Sequence, residues 1–521
     1  MSKQAAPVEK KKFLTNQNIA FFGMVIGMFM AILDIQIVAS SLPVIAAGLS
    51  ATQDELSWVQ TSYIIAEVVI IPLTGFTAKV LSTRISYTLA AFGFTIMSIL
   101  CATANSLESM IVFRALQGFF GGAMIPTVFA TIYIIFKPEE RPVVSIIIGL
   151  VVTMAPTLGP TVGGYITDVF SWHFMFLLNV IPGIIVCYTV FFYGDFDKPD
   201  YSLLKNFDFT GVFFLITSLG CLQYVLEEGA RKEWFENNLI LGLSIYVVFG
   251  LSFLVYHELT TQKPILDLHA FKNPNFSLGC ALSGILGVGL YGSVFLLPIF
   301  LGSSAGLNTL QIGVIMGVMG VSQFFSAPMA GFCMAKEVDR RIMMSFGLVF
   351  FAFGCYLNSF LTPESRFYEM MIPQIVRGLS LMFCFIPIND IALGTLSKSE
   401  VQNASGLYNL MRNLGGAIGL AVINSKLTDH TVGHRETLSS NLQVTGEIIQ
   451  NNLASISAQM SDKVANSDLA SLSIINGWLQ RDAFIISINN MFAFIAALFI
   501  FALILVPFTK NVKMAGESGA H

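Results

Sequence analysis

Residues 149–165 read GLVVTMAPTLGPTVGGY. Ala155, Gly159 and Gly163 are spaced by four, Gly164 stands beside them, and Pro156 and Pro160 fall between. A four-residue spacing stacks positions on one face of a helix. In a membrane, a face of small residues lets a neighbouring helix approach closely, because packing rather than water drives helices together there. Both prolines withdraw backbone donors and bend the helix. The uncharged run that holds the motif exceeds the roughly 20 residues that cross a hydrocarbon core. This stretch predicts a membrane helix made to press against another.

The rest of the chain has the same character. Of 521 residues, 55% are AVILMFWYC and 12% are charged, against about 25% charged in an ordinary soluble domain. Mean hydropathy is +0.72. Such a chain cannot coat itself with charge, which excludes a cytosolic enzyme, a nucleic-acid binder and a disordered scaffold. The net charge of −4 leaves no basic theme for nucleic acid. All seven cysteines lie in apolar runs, with no disulfide framework and no CxxC pair, so they read as apolar fillers. Lys10, Lys11 and Lys12 precede an apolar run from Ile19 to about Pro43, too long for a cleavable signal.

Apolar runs of spanning length recur near 19–42, 57–78, 85–104, 109–135, 142–164, 173–193, 209–227, 238–257, 275–301, 308–332, 342–361, 368–394, 402–424 and 484–507. They are continuous rather than alternating, so helices are expected and not barrel strands. With the N-terminus inside, eighteen lysines and arginines fall in inside segments and three (Arg231, Lys232 and Arg366) in short outside loops. An odd number of spans would destroy that asymmetry. The expectation is an all-α polytopic membrane protein of fourteen helices with both termini cytoplasmic.

Segment 113–126, FRALQGFFGGAMIP, aligns weakly with 373–387, PQIVRGLSLMFCFIP, so that Gln117–Gly118 matches Arg377–Gly378. Internal repeats of this kind mark transporters that alternate access. The repeat divides the chain into a tail at 1–18, a six-helix half at 19–193, two inserted helices at 194–272, a second half at 273–507 and a tail at 508–521.

GPxxGG after a basic loop resembles the antiporter motif of major facilitator superfamily drug exporters. LDIQIVASSLP (33–43), FRALQG (113–118), WHFMFLLNVIPG (172–183) and NLMRNLGGAIG (409–419) are similar to the fourteen-helix drug:proton antiporters, the EmrB/QacA group. The resemblance runs from helix 1 to helix 13. It implies a major facilitator fold of 6 + 2 + 6 helices, proton-driven efflux of small amphipathic or drug-like compounds and residence in a bacterial inner membrane. It also implies roles in proton coupling for Asp34 and Arg114, and the antiporter motif at Pro156, Gly159, Pro160, Gly163 and Gly164. Two positions depart from the pattern: Lys79 stands where the loop after helix 2 usually has an acid, and Glu67 where neutral residues are common.

Ionisable residues inside the spans point to function because each costs at least ~2.5–3.5 kcal/mol there. Asp34 and Arg114 lie at matched depths, roughly 10 and 8 Å from the outer ends of their helices. A carboxylate beside a guanidinium keeps its charge, and one left alone in apolar surroundings takes a proton. Such a pair carries protons, or else it only fixes helix packing. Glu67, near mid-depth, shares a helix face with Gln60, Tyr63 and Thr74 and is expected to face a cavity. It binds a cationic substrate or a second proton, or it pairs with Arg377 or Arg412. Gln60, Tyr63, Arg377, Asn409 and Arg412 complete the expected substrate cavity, with Tyr291 and Tyr408 as further candidates. No GxxxxGK[ST] loop, catalytic dyad or metal cluster is visible, so neither ATP drive nor an enzyme nor a cofactor is expected.

From about 425 to 483 the chain turns polar and lies outside. Leu438, Leu442, Ile449, Leu453, Ile456, Met460 and Val464 form one amphipathic face, and Leu469, Leu472, Ile475 and Leu479 suggest a second helix. Either the segment is a lid on its own membrane domain, or it docks a partner. The resemblance to EmrB-type exporters implies a periplasmic adaptor and an outer-membrane channel. Two other functions fit the same residues: a dedicated exporter of one metabolite, such as a siderophore or an amino acid derivative, and a non-transporting receptor or scaffold.

Overall fold

The computed structural model describes residues 15–52, 55, 57–137, 140–262, 264–441, 447–460 and 466–510. Lys10 to Lys12, Leu442, Val464 and the tail from 511 onward lie outside the described residues. Those described are mostly helical and contain no strand. The long helices are α1 (Asn16–Leu49), α2 (Trp58–Leu81), α3 (Thr83–Ala102), α4 (Leu107–Ile135), α5 (Arg141–Val169), α6 (His173–Tyr193), α7 (Phe209–Glu228), α8 (Asn238–Thr260), α9 (Pro274–Ser303), α10 (Thr309–Ala335), α11 (Arg340–Leu357), α12 (Phe367–Leu393), α13 (Lys398–Asn441) and α14 (Ser467–Ala502). Among the described residues thirteen helices are long and apolar enough to cross a membrane. The exception is α13. The expected span at 402–424 is helical within it, but Asn403, Asn409, Arg412 and Asn413 dilute its apolar run.

Helix pairing repeats. In the first half α1 packs on α4, α5 and α6, α2 on α4, and α3 on α4 and α6. In the second α9 packs on α12, α13 and α14, α10 on α12, and α11 on α12 and α14. The second set is the first displaced by eight helices. The halves meet where α2 touches α13 and α5 touches α10, contacts that the same displacement exchanges. Gly118 of α4 abuts the Tyr63 carbonyl of α2, and Gly378 of α12 abuts the Met319 carbonyl of α10. Equivalent glycines therefore make equivalent close approaches.

The small face of α5 is used as its spacing predicts. Ala155 is fully buried, and Gly159 lies against Gln36 of α1 with no room for a Cβ. The hydroxyl of Thr161 donates to the Gly313 carbonyl of α10 at 3.1 Å, so α5 binds α1 and also spans the two halves. Thr153 donates to the Gly149 carbonyl at 2.8 Å and Thr157 to the Thr153 carbonyl at 3.0 Å, extra bonds beside the donors that Pro156 and Pro160 lack. Gly159→Val is expected to cost about 1–3 kcal/mol by overpacking. The check is thermal melting of purified protein; an unchanged melting temperature shows instead that α1 yields freely.

The inserted pair is asymmetric. α7 packs on both α2 and α13, across the seam between the halves, and α8 packs mainly on α7. Val248, Phe249 and Tyr256 of α8 are exposed, a surface suited to lipid.

The polar segment before the last span projects as a hairpin of the outer ends of α13 and α14, which pack on each other. α13 has 44 residues and α14 has 36, or roughly 66 and 54 Å by helix rise, well beyond the ~30 Å hydrocarbon core. Arg435 donates to Asn476 at 3.2 Å. A short helix, Glu447–Met460, is tied to the start of α14 by Ser457, which donates to Asp468 at 2.7 Å. Of the expected amphipathic face, Leu438 lies in α13 and Ile449, Leu453 and Ile456 in the short helix, and Leu442 and Val464 lie outside the described residues.

The halves close at the lysine-rich face, where Gly75 of α2 abuts Gln402 and Asn403 of α13. The carboxylate at this corner comes from the α6–α7 connection: Asp197 accepts from the Thr83 amide at 2.8 Å, the Thr83 hydroxyl at 2.7 Å and Gln402 at 3.2 Å. Asp197 thus ties the α2–α3 corner to the other half, although position 79 is a lysine.

Candidate functional site

Five helices converge on Asp34. Arg114 Nη1 lies 2.5 Å from Asp34 Oδ2, so the two residues of matched depth do meet. Asp34 Oδ1 also accepts from Asn179 of α6 at 2.7 Å and from Gln117 of α4 at 3.2 Å. Arg114 donates to Gln117 at 2.8 Å and, through Nε, to the Val59 carbonyl of α2 at 3.1 Å. Ser98 of α3 accepts from Gln117 at 2.7 Å. The Arg114 guanidinium lies over the Tyr63 ring, 4.2 Å from its centroid. All of these groups are buried. A buried ion pair survives only when further hydrogen bonds complete it, and the amides of Gln117 and Asn179 do so here. Among the described residues Arg114 Nη2 alone of these groups has no partner. Ser98, Gln117 and Asn179 were not singled out from sequence. The available signal was a lone polar side chain within an apolar run.

A cavity of about 390 Å³ opens toward the hairpin face between the halves. Gln36 of α1, Gln60 and Ile64 of α2, Glu227 of α7, and Tyr291 and Phe295 of α9 line it, with Leu420 and Ala421 of α13. It deepens to Glu67 and Asn413. Among the described residues Glu67 makes no ion pair; neither expected arginine partner reaches it. Arg377 is enclosed in the second half, near the rings of Phe351 and Phe492 and donating to Gln374 at 3.2 Å. It does not line the cavity. Arg412 and Asn409 hydrogen-bond each other below the cavity floor, beside Phe129, Phe385 and Tyr408. Tyr63 is likewise turned away, its hydroxyl donating to the Ala31 carbonyl at 3.3 Å.

Helix geometry explains the sorting. At 100° per residue, positions 60, 64 and 67 fall on one face of α2, and 63 is turned toward α1 and α4. The 3₁₀ turn at Ile71–Leu73 then shifts the phase, placing Thr74 at the closed contact with Gly406 of α13. Of the antiporter motif only Pro160 touches the cavity.

A model of the Major Facilitator Superfamily matches residues 24–420. The chain is 40% identical over 494 residues to the colistin resistance protein EmrB of Acinetobacter baumannii, an alignment covering 95% of this chain and 96% of that one. It is 30% identical over 495 residues to the fatty acid resistance protein FarB of Neisseria gonorrhoeae, covering 95% and 96%. The crystal structure of the human organic anion transporter MFSD10 (TETRAN) matches with a TM-score of 0.57 at 12% identity, covering 94% of this chain and 99% of that one, a likeness of fold alone. With its two displaced sets of helix pairs and its full-length relatives, the chain belongs to the major facilitator superfamily, in the EmrB-like family of drug:proton antiporters.

Proposed function

We propose that this exporter sits in the bacterial inner membrane with both termini cytoplasmic, and moves amphipathic compounds toward its hairpin face in exchange for protons carried by Asp34. The observation that carries this reading is the shared wall between the ion pair and the cavity. In α1, Asp34 faces Arg114, and the next residues, Ile35 and Gln36, face the cavity. In α2, the Val59 carbonyl holds Arg114, and the next residue, Gln60, faces the cavity. A substrate that displaces either helix shifts the groups around the ion pair. Protonation of Asp34 releases Arg114 and loosens the same two helices in return. Rocking of the halves at the α2–α13 and α5–α10 contacts completes the cycle. Relatives named for resistance to colistin and to fatty acids fit an amphipathic cargo. The test is purified protein in vesicles with an imposed pH gradient and a panel of amphiphilic dyes. Gradient-dependent uptake of several dyes supports the reading, and movement of none rejects it.

Glu67, at the cavity floor without a basic partner, is assigned to cationic groups of the cargo. Replacing it by glutamine removes a charge-assisted contact of about 1.5–3 kcal/mol. Export of cationic probes by Glu67→Gln is then expected to fall roughly tenfold or more, with neutral probes little changed. Initial rates for both classes in the same vesicles measure this, and equal losses reassign Glu67 to proton transfer or packing.

The hairpin is the proposed docking site for a periplasmic adaptor that leads to an outer-membrane channel. Val432, Leu469, Leu472 and Trp478 are exposed on it, where apolar side chains in water favour a partner.

A further inference from the structure

The inserted helix α7 reads at first as a spacer between halves, yet it forms a wall of the cavity. It closes the α2–α13 seam, which is the side on which a cavity between the halves would otherwise meet lipid. Gln223 and Glu227 of α7 line the deep part of the cavity together with Glu67, and Glu227 also lines the outer part. Gln223 is fully buried. Its Nε2 donates to Glu227 Oε1 at 3.0 Å, and its Oε1, also buried, has no partner among the described residues. The basic residues that follow α7 are engaged elsewhere: Arg231 pairs with Glu228, and Lys232 donates to the Tyr224 hydroxyl at 2.7 Å. Among the described residues Glu227 makes no ion pair.

The cavity therefore holds two carboxylates without basic partners, Glu67 at the floor and Glu227 toward the mouth. Both stand on the α2–α7 side. The opposite side, from α9 and α13, is mostly apolar, with Phe295, Leu420 and Ala421. We infer that the site selects elongated dicationic amphiphiles: one cationic group against Glu67, the second against Glu227, and the apolar body along α9 and α13. Gln223 is a positioning residue that orients the Glu227 carboxylate, and its unpaired Oε1 accepts from an N–H of the cargo's cationic group, such as the ring-amino N–H of dequalinium. The inference rests on the export reading only in taking this cavity as the cargo site.

The test is equilibrium binding to the purified full-length chain in lipid nanodiscs, without any gradient. The probes are dequalinium, a bis-cation, and tetraphenylphosphonium, a mono-cation with an apolar shell. Glu227→Gln is expected to weaken dequalinium binding about tenfold, the loss of one charge-assisted contact, and to change tetraphenylphosphonium binding little. Glu67→Gln is expected to weaken both. Glu227→Asp keeps the charge and is expected to retain the preference for dequalinium, which separates loss of charge from loss of fold if Glu227→Gln is poorly folded. Equal weakening of both probes by Glu227→Gln, or no change in their ratio, overturns the inference. Wild-type protein that binds with the expected ratio but moves no probe in vesicles defeats the export reading and leaves this assignment standing. Wild-type protein that exports both probes, with Glu227→Gln unchanged in binding, does the reverse.

Discussion

Asp34→Asn is expected to reduce export driven by a pH gradient to background while substrate-for-substrate counterflow continues. The substitution keeps the shape of the side chain and removes the group that titrates. Counterflow needs only rocking of the halves around a loaded cavity, so it separates loss of coupling from loss of structure. The variant also leaves Arg114 buried without its counter-charge, which costs about 3–5 kcal/mol, and its new amide N–H groups face the donors of Gln117 and Asn179. A lower melting temperature is therefore part of the expected result. Arg114→Ala should lose coupling in the same assay. Full gradient-driven export by Asp34→Asn would reject Asp34 as the proton carrier, and loss of counterflow as well would reduce the pair to a packing element.

Deleting residues 436–480 is expected to abolish drug resistance in cells while leaving transport in purified vesicles close to that of the intact chain. The deletion removes the outer end of α13, the short helix Glu447–Met460 and the start of α14. The cavity is lined by α1, α2, α5, α7, α9 and the part of α13 up to Asn424, none of it within the deletion. Resistance requires the compound to leave the cell envelope, a task for a partner seated on the exposed Leu469, Leu472 and Trp478. If the hairpin is instead a lid, vesicle transport or folding fails too. Crosslinks from Leu469 or Trp478 to a second protein support docking; crosslinks only to the exporter's own loops, with resistance intact, reject it.

The sequence disclosed depth more readily than direction. Hydropathy assigns Asp34, Arg114, Glu67, Arg377 and Arg412 to depths along their helices, and the first two, at matched depths, do pair. Height does not say which way a side chain points. Arg377 was assigned to the cavity because it is at mid-depth, yet it faces the interior of the second half. Tyr63 misses the cavity although it lies only about 40° around the helix from Glu67. The face of α5 was legible because glycine spacing encodes contact directly. Glu227 was not, because an acid at the end of a span looks interfacial unless one knows that α7 lies over the seam between the halves. The outer segment was legible as polar and helical, but not as an extension of α13 and α14, because hydropathy falls at the membrane surface whether or not the helix continues.

The two halves share their pairing but not their charges. Arg114 and Gln117 of α4 correspond to Gln374 and Arg377 of α12, so arginine and glutamine change places, and Arg377 has no acid within ion-pair distance among the described residues. A cycle run by Asp34 alone is then a one-proton cycle, and its electrical character depends on the cargo. Expelling a monovalent cation for one proton transfers no net charge, so only the pH difference powers it. Expelling a neutral molecule brings one positive charge inward and draws on the membrane voltage, worth about 2.3 kcal/mol per 100 mV. A dication carries net charge outward and works against that voltage. One exporter would thus be electrically silent, assisted or opposed according to the valence of what it carries.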